Sequence, residues 1–119
     1  MDNIKNDLYY VNKIINDLRF VIEHTRNKTK EEIENDELLV DSIMFRIIQI
    51  SENNGYLSDE FKSKHSDVPW AAIKGMRNRI VHDYENVDLS VLWATIKESL
   101  PKLKDELKDI ILKENETLF

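Results

Sequence analysis

A chain of 119 residues has room for one modest core and not for two. Hydrophobic residues make up 41% and charged residues 34%, with only two glycines and two prolines, which suits helices with broad solvated faces and argues against a strand-and-turn fold. There is no cysteine, which excludes disulfides and thiolate metal sites and fits a reducing compartment. No run of about 18 apolar residues exists, so no membrane span is expected. The start MDNIKNDLYY lacks an apolar stretch behind a basic opening, so no secretory leader is expected either, and the cytoplasm is the default location.

The elements follow from apolar spacing. Ile4, Leu8, Val11, Ile15, Leu18 and Ile22 recur at steps of four and three and predict a first helix over 2–27. Residues 27–34 are polar and read as a connection, in which Thr29 and Glu32 have the spacing of a capping box. A second helix starts near Asn35 or Asp36 and runs to about Asn53. Leu39, Ile43, Ile47 and Ile50 form its stripe, and Val40, Met44 and Ile48 widen it, which predicts burial on two sides. Asn54 or Gly55 suits a left-handed turn at its end. Ser58 caps a short helix to Lys64. A third main helix is predicted over 68–82 with Pro69 in its first turn, and a fourth, capped by Asp88, over 88–114. Pro101 lies inside this last pattern and predicts a kink near 97–101. The expected architecture is all-α, an antiparallel bundle of four main helices plus a short one, forming a single domain over 1–119.

The net charge of -6 weighs against nucleic acid in general, yet Lys62 to His82 carries five Lys or Arg against one acid, a net +4 that leaves -10 elsewhere. Such a patch can still hold a phosphate backbone. Within it, GMRNRIVHDYENVD concentrates Arg77, Asn78, Arg79, His82 and Tyr84. On an ideal helix Arg77 and His82 lie about 140° apart, so one chain spreads its polar groups, and two copies about a two-fold axis would bring both sets into one cleft. These residue types suit acid–base work on a phosphodiester. Imidazole exchanges a proton near neutral pH. Arginine forks onto phosphate oxygens as negative charge grows. RNA brings its own nucleophile, the 2′-hydroxyl, and no carboxylate cluster suggests a metal. His24 and His65 lack partners at ligand spacing and read as surface residues. Trp70 and Trp93 read as core. Glu52 is either a solvated residue near a helix end or a carboxylate that orients Arg77 or His82. Gly75 weakens its helix, and a close helix crossing, as at a dimer seam, would account for it.

The stretch RNRIVHDY resembles the R-x4-H-x-Y signature of HepT-type toxins in the HEPN superfamily. The likeness extends through VPWAAIKGMRNRIVHDYENVDLSVLWATIKESLPKL, and Ile50, Ser51 and Glu52 match the family's apolar-small-Glu helix end. The resemblance implies a HEPN-like helical bundle and a homodimeric, metal-independent RNA endonuclease without a cofactor. It also implies a toxin–antitoxin pair, in which a minimal nucleotidyltransferase (MntA-like) antitoxin adds AMP to the motif tyrosine. On this chain Arg77 and His82 become the catalytic pair, Asn78 the polar residue that follows the arginine, and Tyr84 the modified residue, with Arg79 and Glu52 in support. The alternative is a non-catalytic HEPN dimer that serves as binding partner or substrate of such a transferase.

Overall fold

The computed structural model describes residues 2–83 and 86–118. Helix α1 (Asp2–Thr25) buries Leu8, Val11, Ile14, Ile15, Leu18 and Val21, so the predicted stripe turns slightly to take in Ile14 and Val21, leaving Ile4 and Ile22 at its margin. It stops at Thr25, whose hydroxyl donates to the Val21 carbonyl at 2.7 Å. The Lys97 ammonium donates to the Thr25 carbonyl at 3.1 Å, supplying a cation at the helix's negative end. Asn27 then turns the chain with a φ of 63°, a conformation that asparagine tolerates.

The supposed connection contains a one-turn helix, α2 (Lys30–Glu34). The Thr29 hydroxyl accepts from the Glu32 amide at 3.1 Å and the Glu32 carboxylate accepts from the Thr29 amide at 2.9 Å. The hydrogen bonds from Thr29, the backbone one foremost, hold the Glu32 carboxyl below its ordinary range. Ile33 is the sole buried side chain of this turn. One apolar residue has no periodicity, which is why spacing missed the helix.

Helix α3 (Glu37–Gly55) is capped by Asp36, which accepts from the Leu39 amide at 3.0 Å. It packs on α1 along one side and on the 70–80 region along the other, as its wide apolar arc predicts. Its end departs from expectation: no glycine has a positive φ, and Tyr56 follows in right-handed geometry with its amide bonded to the Asn53 carbonyl. The Asn53 and Asn54 amides instead satisfy the carbonyls of Gln49 and Trp70, at 2.9 and 3.2 Å. Helix α4 (Asp59–Lys64) is capped by Ser58, and buried Asp7 accepts from both the Ser58 amide (2.8 Å) and its hydroxyl (2.7 Å), locking α4 to α1.

The predicted third helix is three pieces. Helix α5 (Trp70–Lys74) and helix α6 (Met76–Ile80) meet at Gly75, which ends one and begins the next, and Pro69 stands just before α5 as its N-cap. The chain then leaves helical geometry for strand β1 (Val81–Asp83), paired antiparallel with β2 (Asn86–Val87). Asp88 closes this hairpin, its amide donating to the Ile80 carbonyl at 2.6 Å, and its side chain caps α7 (Leu89–Ala94) by accepting from the Val91 amide. Pro101 acts earlier than expected: Thr95–Ser99 form a π turn, and the Leu100 amide reaches back to the Thr95 carbonyl. A proline ring collides with the carbonyl four residues before it, here Lys97, and widening the preceding turn relieves that contact. Helix α8 (Leu100–Leu118) continues past the predicted end. The architecture is an all-α, HEPN-like bundle with one short hairpin, and its buried apolar side chains form one cluster. Among the described residues no helix is long and apolar enough to cross a membrane.

Candidate active site

The motif straddles a change of backbone. Helix α6 buries Met76 and Ile80 against α3, which turns Arg77, Asn78 and Arg79 to solvent, and all three are exposed. His82 follows in β1. The 140° angle between Arg77 and His82 assumed one helix and does not apply, so helical geometry no longer argues for a composite site. Tyr84 lies outside the described residues. Arg77 and Arg79 form no ion pair with any described carboxylate, and both side chains are exposed.

Gly75 also receives a different account. Among the described residues no neighbouring helix lies against it. A side chain there would meet the Arg79 guanidinium at 3.4 Å and the Ala71 carbonyl at 3.7 Å, both ordinary contacts. The residue marks the break between α5 and α6 rather than a close crossing within the chain.

Glu52 is exposed on the last turns of α3 and makes no ion pair with Arg77. Its neighbour Ser51 does the joining, with its hydroxyl donating to the Ile73 carbonyl at 3.0 Å. Trp70 is core, as expected, and its indole N–H donates to the carbonyls of His65 (3.0 Å) and Lys62 (3.2 Å). Trp93 is half-buried beneath the Lys97 ammonium, 4.8 Å from its ring centre. Among the described residues no group of three or more His, Asp or Glu is placed to hold a metal ion.

The basic segment divides in two. Lys74, Arg77 and Arg79 are exposed and free of ion pairs among the described residues, whereas Lys64 bonds the Glu114 carboxylate at 2.7 Å. His65, expected at the surface, is largely covered, and its Nε2 meets the same Glu114 oxygen at 2.8 Å. Glu114 is only 1% exposed. Burial pushes its carboxyl up, but the hydrogen bonds and charges of Lys64 and His65 outweigh this and hold it below the ordinary range. A pocket of about 430 Å³ adjoins the triad, lined also by Asp67, Glu106, Asp109 and Lys113. It mixes acids and bases and contains no motif residue. The triad ties the end of α4 to α8 and is structural. Its members are 49 residues apart in the chain, so no local spacing could reveal it.

A family profile described as ribonuclease HepT-like matches residues 14–110. "Putative RNase TTE0752" of Caldanaerobacter subterraneus subsp. tengcongensis is 33% identical over 105 residues, covering 88% of this chain and 94% of the relative. "Putative RNase MJ1380" of Methanocaldococcus jannaschii is 31% identical, covering 89% and 94%. "Probable ribonuclease HepT" of Thermococcus cleftensis is 29% identical, covering 85% and 92%. No solved structure matches the chain.

Proposed function

Because the chain belongs to the ribonuclease HepT-like family, we propose that it is an RNA endonuclease acting as a homodimer, with Arg77 and His82 as its catalytic pair. The observation that carries this reading is the intact R-x4-H-x-Y motif with its arginines exposed and, among the described residues, free of ion pairs. A neutral His82 imidazole takes the proton of a 2′-hydroxyl, and that oxygen attacks the adjacent phosphorus. The bond to the 5′-oxygen breaks, and an imidazolium from the second copy returns a proton to it. The products are a 2′,3′-cyclic phosphate and a 5′-hydroxyl. Arg77 stabilises the charge that grows on the phosphate oxygens, and Arg79 and Asn78 hold the flanking backbone. No metal enters this route.

The dimer has a candidate face. Leu38 and Phe45 lie along the solvent side of α3, the helix that carries α6, and are 77% and 57% exposed. Exposed apolar side chains on the helix next to the motif fit a protein-facing surface. In a toxin–antitoxin pair, an MntA-like transferase would silence the enzyme by adding AMP to Tyr84, because a phosphate beside Arg77 and Arg79 competes with RNA for their charge.

The test incubates unstructured RNA in excess EDTA with the wild type, His82→Ala and Arg77→Ala. The wild type should leave 2′,3′-cyclic ends, and each variant should lose about 10²–10⁴-fold in rate. Cleavage abolished by EDTA, or equal cleavage of an all-deoxy strand, would defeat the mechanism. Intact RNA together with tight transferase binding would favour a non-catalytic dimer.

A further inference from the structure

The surface of α1 holds a second feature that the motif does not use. Between Asp2 and Glu23 the helix has two carboxylates, Asp7 and Asp17, and both are buried. Asp7 is spent on Ser58, and Asp17 accepts from the Arg46 guanidinium at 2.9 Å. Among the described side chains of this stretch, the exposed ones are Asn6, Tyr9, Asn12, Lys13, Asn16 and Arg19. On a chain of net charge -6, this stretch shows cations and amides, and the next exposed acid of the helix is Glu23, one turn beyond Arg19.

Three tyrosines stand at one end of that face. Tyr9 meets Tyr10 edge-on with ring centres 5.2 Å apart, and Tyr10 stacks on Tyr56 at 5.0 Å with planes 27° apart. The Lys13 ammonium sits 5.2 Å from the centre of the Tyr9 ring. Tyr10 is partly packed on the core, but Tyr9 and Tyr56 remain 56% and 63% exposed. Exposed rings beside cations are what unpaired nucleotides recognise: bases stack on the rings and phosphates meet the charges.

Helix α5, which leads into the motif, packs on α3, the helix that ends at Tyr56. Asn54 bonds Trp70 and Ser51 bonds Ile73, so α5 runs antiparallel to α3 and the chain continues into α6. Glu52, Asp59 and Glu60, the acids nearest Tyr56 in sequence, repel phosphate, which directs the backbone toward Lys13 on α1.

We propose that Tyr9, Tyr10 and Tyr56, with Lys13 beside them, form a stacking platform that holds unpaired bases of the RNA strand. The proposal rests on the ribonuclease reading for its ligand class. It selects single-stranded over duplex RNA, because paired bases offer no free face to the rings.

The experiment measures binding of a short oligouridylate, and of an abasic ribose-phosphate strand of equal length, by fluorescence anisotropy. The protein is the full chain carrying His82→Ala, so that the probe is not cut. Tyr9→Ala and Tyr56→Ala should each weaken oligouridylate binding about 5- to 150-fold, the range of losing one base–aromatic stack. Abasic binding should not change, and Tyr9→Phe and Tyr56→Phe should retain wild-type affinity and an unchanged Tm. Lys13→Ala should weaken both probes. Unchanged oligouridylate binding in both alanine variants would overturn the platform, as would equal loss for the abasic strand. A fall in sedimenting mass on either alanine substitution would also overturn it, because the tyrosines would then be an interface between copies. Cleavage of long RNA by the unmodified chain is scored separately. If that cleavage persists while the tyrosines prove inert, the platform alone fails. If the tyrosines bind but nothing is cut, the ribonuclease reading fails and the platform stands.

Discussion

Two clusters of charge, both begun within the same basic segment, behave in opposite ways. At Lys64 and His65 the two side chains converge on Glu114, a carboxylate with 1% exposure, and the lysine's charge is spent inside the molecule. At Arg77 and Arg79 the charges stand in water without a described partner. A cation already paired with a buried carboxylate is not available to a phosphate, whereas an unpaired one on a rigid helix is. The +4 of the segment therefore overstates what a ligand meets, and Lys74, Arg77 and Arg79 are the exposed cations left unpaired among the described residues.

The comparison is broken most decisively by exchanging the damage. Arg77→Ala should abolish most RNA cleavage while leaving thermal stability within about 0.5 kcal/mol of wild type, since exposed substitutions rarely cost more. Glu114→Ala should do the reverse, leaving activity per folded molecule unchanged and costing about 1–3 kcal/mol, the range for losing hydrogen bonds to a charged group. The value stays below that of a fully buried pair because Lys64 is half exposed and can turn to water. Denaturant unfolding alongside single-turnover cleavage separates the two, and a Glu114 variant that is stable but inactive would erase the distinction.

The same pair is sharpened by pH. The Glu114 carboxyl is held below its ordinary range in the folded chain. Its unfolded value is about 4.3, so its stabilising contribution is complete above that pH and is lost as pH falls through the lower folded value. The stability gap between wild type and Glu114→Gln should be constant near neutrality and shrink below about pH 4. A gap that widened in acid would reverse the sign of the coupling.

The smallest effect lies in salt dependence. Arg79→Ala should lower the slope of log affinity for single-stranded RNA against log salt by about 0.7, the loss of one phosphate contact, and Lys64→Ala should leave it unchanged. Equal slopes in the two variants would mean that the pairing with Glu114 does not withdraw Lys64 from the ligand.

Much of the fold was legible because its signals are local. Asp36, Ser58 and Asp88 cap the helices they precede, and Thr29 with Glu32 closes a capping box, since each bond spans only three residues. The apolar stripes of α1 and α3 were readable for the same reason. The break in the third helix was not. Ile73, Met76 and Ile80 keep helical spacing across Gly75, so periodicity carried the prediction on to His82, whereas the backbone turns to strand at Val81. That turn is set by pairing with Val87 and by the Asp88 amide on Ile80, contacts formed only once the chain has doubled back.

The residue types of the candidate site and their order were determined by the sequence alone. So were the helical class and most helix starts, because caps, stripes and motifs act over a few residues. Only the tertiary structure decided which cations are spent and which remain free. It also removed Asp7 and Asp17 from the surface of α1, and it brought Tyr10 against Tyr56. Those outcomes depend on groups tens of residues apart meeting in space, where burial makes a charge costly unless a partner arrives with it, and no spacing along the chain records that meeting.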